Sequence, residues 1–142
     1  MSTTDRPFLD ANILFSAAHK DDSIMLRFWR WPVAALLTSD DAVEEAARNL
    51  PPARRIVLWR LPDRLSIFAT PPAEDWRIPD AVDLAGKDRP ILAAAIAAGA
   101  THLITGDPAH FHHLFRRTIA GVLILPPSGY RLDAADADAH SA

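Results

Sequence analysis

The chain has 142 residues, 49% of them hydrophobic, no cysteine and a formal net charge of −3. This suits one domain that buries roughly two-thirds of its unfolded surface, excludes disulfides and thiolate metal sites, and gives no global attraction to nucleic acid, although local patches outweigh a sum. No apolar run reaches the ~18 residues that span a bilayer and no signal-peptide pattern opens the chain, so a cytoplasmic protein with no membrane partner is expected.

Phe8-Leu9 reads as a short buried strand and Asn12 to about Ala18 as a first helix. Ser23 to Trp31, with Ile24, Met25, Phe28 and Trp31 apolar, reads as a second helix ended by Pro32, and Val33 to Thr38 as a second strand. Ser39 then stands as an N-cap, with Asp40 and Asp41 in the electropositive first turn of a helix that runs to about Asn49 and stops at Pro51-Pro52. Ala53 to Leu61 is a further helix, with Ile56, Val57, Arg60 and Leu61 at helical period. Leu65 to Ala69 is a short strand, and Thr70 to Gly86, which holds Pro71, Pro72 and Pro79, is loop. Pro90 to Ala98 is an alanine-rich helix with Gly99 at its C-terminal cap. His102 to Thr105 is a strand, Ala109 to Phe115 a short helix, and Val122 to Leu125 a last strand stopped by Pro126-Pro127. Residues 133–142, an Ala/Asp run without periodicity, are expected to be a disordered tail behind a single domain over 1–132. Alternating strands and helices predict an α/β fold with a parallel sheet.

Asp10, Glu45, Asp88 and Asp107 stand where an apolar strand ends or a helix begins. Parallel strands share one C-terminal edge, the edge where open α/β sheets place their sites. Asp10 and Asp107, from opposite ends of the chain, are therefore expected to meet there. Carboxylates that meet repel unless a cation lies between them, which points to a metal site. Taken singly, each has a structural role open to it: Asp10 and Asp107 as N-caps, Asp107 with Pro108 at the first helical position, Asp88 likewise ahead of Pro90, and Glu45 as solvated helix surface. Helical spacing leaves both Glu44 and Glu45 off the face made by Val43, Ala46, Ala47 and Leu50, so periodicity does not choose between them.

Phe8-Leu9-Asp10-Ala11-Asn12-Ile13-Leu14 resembles the opening motif of PIN domains, a family of metal-dependent nucleases. Thr38-Ser39 followed by Glu45 and Leu50 resembles the second motif, Asp88-Arg89-Pro90-Ile91-Leu92-Ala93-Ala94-Ala95 the third, and Gly99 through Thr105-Gly106-Asp107 the fourth. Gly121-Val122-Leu123-Ile124-Leu125-Pro126 is similar to the closing strand, so the resemblance spans residues 6–130. It implies a three-layer α/β/α sandwich with a central, mainly parallel sheet, and Mg²⁺- or Mn²⁺-dependent hydrolysis of RNA by an endonuclease. It implies Asp10 and Asp107 as direct metal ligands, Asp88 as a direct or water-mediated one, and Glu45 as the residue that positions a water or a second metal. Asn12 would orient Asp10 or touch phosphate, and Ser39 and Thr105 would support the ligands by hydrogen bonds. Small standalone members, VapC-type toxins among them, are often neutralised by a separately encoded antitoxin and commonly form homodimers. The spacing of the second motif favours Glu45 over Glu44.

Two other readings are open. One is a PIN fold kept as a non-catalytic RNA-binding or assembly module, against which stand the four retained acids. The other is a haloacid-dehalogenase-type phosphotransferase with Asp10 as nucleophile; that class has Asp-x-Asp at its first strand, and Asn12 occupies the second place here. His110 and His113 share a helical face, a pair open to a transition metal, but no third nitrogen ligand is near; His110, at the edge of the site, is open to substrate contact, with a surface role expected first. Five arginines between Arg48 and Arg64, against Asp63 alone, read as a solvated face before a phosphate grip. Arg27, Trp29, Arg30 and Trp31 interleave bases with aromatics, and helix packing is expected before base stacking.

Overall fold

The computed structural model describes residues 5–30, 35–61 and 65–130. The expected helix end at Trp31 and Pro32, the strand start at Val33, Asp63, Arg64 and the 133–142 tail lie outside them. Strand β1 (Pro7–Leu9) leads into helix α1 (Ala11–His19), a 3-10 turn at Ile24–Leu26 and the one-turn helix α2 (Arg27–Arg30). Strand β2 (Leu36–Ser39), helices α3 (Asp40–Asn49) and α4 (Pro52–Arg60), and strand β3 (Leu65–Phe68) follow. Helix α5 (Arg89–Ala97), strand β4 (His102–Ile104), helix α6 (Pro108–Phe111) and strands β5 (Thr118–Ile119) and β6 (Val122–Leu125) complete the order. The strands form one sheet, β3-β2-β1-β4-β6-β5, parallel throughout except for the β5–β6 hairpin.

The side-chain alternation of the strands divides the core into two. Leu9, Leu36, Ile104 and Leu125 face α1, α3 and α4, where Ile13, Leu14, Ala46 and Leu58 meet them. Phe8, Leu37, Leu103 and Ile124 face the other side, against Leu92, Ala94 and Ala95 of α5 and against Phe111 and Leu114. Helices thus cover both faces of the sheet, giving a three-layer α/β/α arrangement. Helix α5 ends in a paired-bond cap: Ala100 N–H donates to Ala95 O at 3.0 Å and Gly99 N–H to Ile96 O at 3.1 Å. Gly99 there has φ +70°, a conformation in which a side chain is strained. Among the described residues, no helix is long and apolar enough to cross a membrane.

Several elements differ from expectation, among them a 3-10 turn at Ala73–Asp75 in the stretch expected to be loop. The second helix begins as a 3-10 turn, because the Ser23 hydroxyl accepts from Met25 N–H at 3.2 Å and tightens the start. The helix after Asp107 is α-helical only to Phe111 and then narrows to a 3-10 turn at His112–Leu114. Strand β5 falls where the residues predict no element. Its turn places Ala120 at φ +50° and Gly121 at φ +87°, the pair of left-handed residues that lets two residues close a hairpin.

Candidate metal centre

The chain runs β1-β2-β3 to one side of β1 and returns as β4 on the other, so β1 and β4 flank the switch point of the sheet, where such folds form a crevice. Leu9 is opposite Ile104, and the next residues outward are Asp10 and Thr105. Asp10 N–H donates to Ile104 O at 3.0 Å. The Asp10 carboxylate accepts from Ala11 N–H through Oδ1 at 2.6 Å and from the Thr105 hydroxyl through Oδ2 at 2.8 Å. It therefore caps α1 and binds β4 at once. Asp10 is only 6% exposed. Burial pushes its carboxyl up from 3.8 to about 6, the hydrogen bonds from Thr105 and Ala11 oppose the rise, and the charges of Glu45 and Asp88 add to it.

Thr105, fully buried, is the junction of the site. Its oxygen accepts from Asp107 N–H at 3.2 Å and lies 3.4 Å from Asn12 Nδ2. Asn12 Oδ1 in turn accepts from Gly106 N–H at 2.8 Å, fixing the loop after β4 against α1. Ser39 caps α3 as its place ahead of Asp40 and Asp41 predicts, its hydroxyl accepting from Ala42 N–H at 3.2 Å. The neighbouring Thr38 hydroxyl donates to Leu9 O at 2.8 Å, one residue before Asp10.

Asp107 opens α6 with Pro108 at the first helical position, and its Oδ1 accepts from His110 N–H at 3.3 Å. Its Oδ2 turns the other way. Asp88 stands at the N-cap of α5 but makes no capping bond. Pro90 at the second helical position has no N–H to offer it. The Asp88 carboxylate is thereby free to meet α6. His110 Nδ1 lies 2.9 Å from Asp107 Oδ2 and 3.2 Å from Asp88 Oδ2. Neither contact has the alignment of a hydrogen bond, and Asp88 Oδ2 and His110 Nδ1 are both sealed from solvent without a hydrogen-bond partner. One donor atom from each of Asp88, Asp107 and His110 falls within a 4.8 Å cluster. Sealed carboxylate oxygens without a bonded proton donor are costly unless a cation joins them. The two carboxylates fit a hard six-coordinate divalent ion such as Mg²⁺ or Mn²⁺, with the imidazole beside them.

Glu45 lies across the cleft on α3. An open hollow of about 400 Å³ is lined by Ala11, Asn12, Phe15, Glu45, Asn49 and Asp107. Glu44 instead pairs with Arg48 at 3.5 Å on the exposed side of the helix. The structure thus brings Asp10, Asn12, Glu45, Asp88, Thr105 and Asp107 to one edge, with Ser39 beneath as a cap. Two hollows of similar size, about 380 and 470 Å³, contain none of the four acids.

Reading the sequence missed three residues. His110 was expected at the surface, yet it follows Asp107 by three, the spacing of one helical face. Phe15 and Asn49 line the cleft and follow Asn12 and Glu45 by three and four. The His110–His113 pairing does not form: the His113 ring bonds Asp83 O, turned aside where the helix narrows. The arginine strip is structural in large part. Arg54 donates to Ala18 O and Arg55 to Ala47 O, each at 2.8 Å, so each neutralises a helix C-terminus. Phe28 is fully buried and stacks on Tyr130, and Trp29 donates to Leu61 O at 2.7 Å, so that stretch serves packing. Trp31, its other aromatic, lies outside the described residues.

The sequence matches no family profile, and no curated protein matches it. The fold does have a solved counterpart, the crystal structure of VapBC2 from Rickettsia felis bound to a DNA fragment from their promoter. The match has a TM-score of 0.58 and covers 85% of this chain and 98% of that one, at 16% sequence identity. At such identity the likeness carries the architecture, a three-layer α/β/α fold with a mainly parallel sheet, and leaves the chemistry to the residues.

Proposed function

We propose that the chain is a Mg²⁺- or Mn²⁺-dependent endoribonuclease, the toxin of a toxin–antitoxin pair restrained by a separately encoded antitoxin. The observation that carries this reading is the sealed, unpartnered Asp88 Oδ2 facing Asp107 and His110 at the switch point of the sheet. The four PIN-like motifs support it by placing their acids on one edge, and the fold likeness to VapBC2 supports it by architecture.

A divalent ion bound there supplies polarisation of the scissile phosphate, a hydroxide from bound water and charge for the leaving 3′ oxygen. Asp88 and Asp107 would hold that ion through their free Oδ2 atoms. Asp10 would add its remaining lone pairs from the floor of the cleft, tied by Thr105 into one orientation. Glu45, across the hollow, would accept a proton from the attacking water or orient it. Asn12 fixes the loop that carries Asp107, so the acids hold their spacing when the RNA backbone enters. Phe15 and Asn49 form the wall against which a nucleotide would lie. A homodimer is proposed from the family resemblance. The phosphotransferase reading meets a side chain already committed, because Asn12 binds Gly106 where that chemistry uses a second aspartate.

The test is cleavage of a mixed pool of structured and unstructured RNA with Mg²⁺ or Mn²⁺ by wild type, Asp10→Asn and Asp107→Asn. Metal-dependent cutting lost in both variants is the expected result. Equal cutting by all three would sink the assignment. RNA binding without cutting would transfer the reading to a non-catalytic module.

A further inference from the structure

We propose that His110 is itself a metal ligand, giving this centre one nitrogen donor that biases it toward Mn²⁺ and Co²⁺ over Mg²⁺. The inference rests on the metal-dependent reading of the cleft above and adds a residue outside the four acids.

The geometry argues for it in three steps. First, two donors about 2.1 Å from one ion and at right angles to each other stand about 3.0 Å apart. His110 Nδ1 stands 2.9 Å from Asp107 Oδ2 and 3.2 Å from Asp88 Oδ2, the spacing of neighbouring ligands on one ion. Second, the competing account is a protonated imidazole bridging two carboxylates in place of a metal. A bridging imidazolium would aim its Nδ1–H at one of those oxygens, and neither contact has hydrogen-bond alignment. Third, the ring is held in this place by the backbone. His110 N–H is fixed on Asp107 Oδ1 at 3.3 Å, so the turn that carries Asp107 also delivers the imidazole. His113, three residues on, is diverted to Asp83 O and does not compete.

The consequence for ion choice follows from ligand chemistry. Mg²⁺ takes oxygen donors and binds imidazole poorly, whereas Mn²⁺ accepts carboxylates and imidazole together, and Co²⁺ binds imidazole more strongly still. A His–Asp–Asp set therefore trades Mg²⁺ affinity for these ions.

The experiment uses the full-length chain with Mn²⁺ as the probe. Pulsed electron paramagnetic resonance of bound Mn²⁺ reads ¹⁴N coupling from a coordinated imidazole, and calorimetry reads Mn²⁺ and Mg²⁺ affinities for wild type, His110→Gln, His113→Gln and Asp107→Asn. The expected result is nitrogen coupling in wild type and His113→Gln, absent in His110→Gln. His110→Gln is also expected to weaken Mn²⁺ about tenfold or more while moving Mg²⁺ less. Mn²⁺ bound by wild type without nitrogen coupling, and lost in Asp107→Asn, overturns the role of His110 and leaves the acidic centre standing. An unchanged Mn²⁺-to-Mg²⁺ ratio in a folded His110→Gln chain does the same. No Mn²⁺ binding by wild type overturns both readings. If His110→Gln does not fold, a wild-type spectrum without nitrogen coupling still overturns the proposal.

Discussion

The Thr105 hydroxyl donates to Asp10 Oδ2 at 2.8 Å and joins two residues 95 positions apart at the ends of neighbouring strands. The same oxygen receives Asp107 N–H, so one buried hydroxyl sets the relation between two of the four acids. Thr105→Val keeps the shape and removes the hydroxyl. It should cost about 1–3 kcal/mol in urea unfolding, because Asp10 Oδ2 and Asp107 N–H lose their partner. It should also push the Asp10 carboxyl further up, as read by NMR titration, since the Thr105 bond opposes that rise. Thr105→Ser should restore both. A Val variant with unaltered stability and titration would show that the hydroxyl holds nothing.

Asp10 should make the apo protein less stable as pH rises. Its folded carboxyl titrates near 6 against 3.8 unfolded, so between those values the native state binds the extra proton. Stability falls through that window, and the full cost stands above about pH 6. Asp10→Asn should therefore stabilise the metal-free chain by about 1–3 kcal/mol at pH 7.5 and add little at pH 4. Thermal melts in chelator at the two pH values check this. An equal effect at both would mean that the charge is not the cause.

Glu44 and Glu45 are adjacent in the chain and differ in their contacts. Glu45 lines the hollow with Asn12 and Asp107, while Glu44 pairs with Arg48 in solvent. Glu45→Gln should lower metal-dependent RNA cleavage by about 10–100-fold, the range seen when groups supporting a metal centre are removed. Glu44→Gln should leave it unchanged and cost under about 0.5 kcal/mol of stability. Equal losses in the two variants would place the effect in α3 as a whole.

Ala120 occupies the left-handed region at φ +50° in the β5–β6 turn, where Asn is better tolerated than Ala. Ala120→Asn should stabilise the chain by roughly 0.5–1 kcal/mol in urea unfolding, and Ala120→Val should destabilise it by more. Stabilisation by Val would contradict the turn assignment.

Much of this architecture was legible in the residues. The β1 and β4 apolar runs are short and end in acids, the Pro pair at 51–52 separates α3 from α4, and Gly99 ends α5 where the backbone needs a positive φ. What escaped notice depended on contacts between distant elements or on backbone that period cannot report. The two residues of β5 are too few to show alternation, and their only cue was Ala120-Gly121 between apolar residues. Glu45 is not told from Glu44 by the helix period, because both flank the buried face; the spacing of the second motif favours Glu45, and Glu45 is the one that lines the hollow with Asn12 and Asp107. His110 seemed a surface residue because its partner Asp88 is 22 positions away, ahead of a helix whose proline leaves that carboxylate uncapped. Asp10 and Asp107 were each open to two readings, cap or ligand. The structure shows both making caps, and neither cap uses up the carboxylate.

Strand β4 lies between β1 and β6 in space, though almost a hundred residues follow β1 before it is made. The cleft has no second wall until that strand arrives. A ribosome that has released Asp10, Glu45 and even Asp88 has produced three acids without Thr105 to orient the first and without Asp107 to face the third. Partial translation products that stop short of β4 therefore lack a complete acidic edge. The edge is complete only when the last third of the polypeptide threads into the middle of the sheet, so the proposed activity, and with it the proposed need for an inhibitor, dates from that moment.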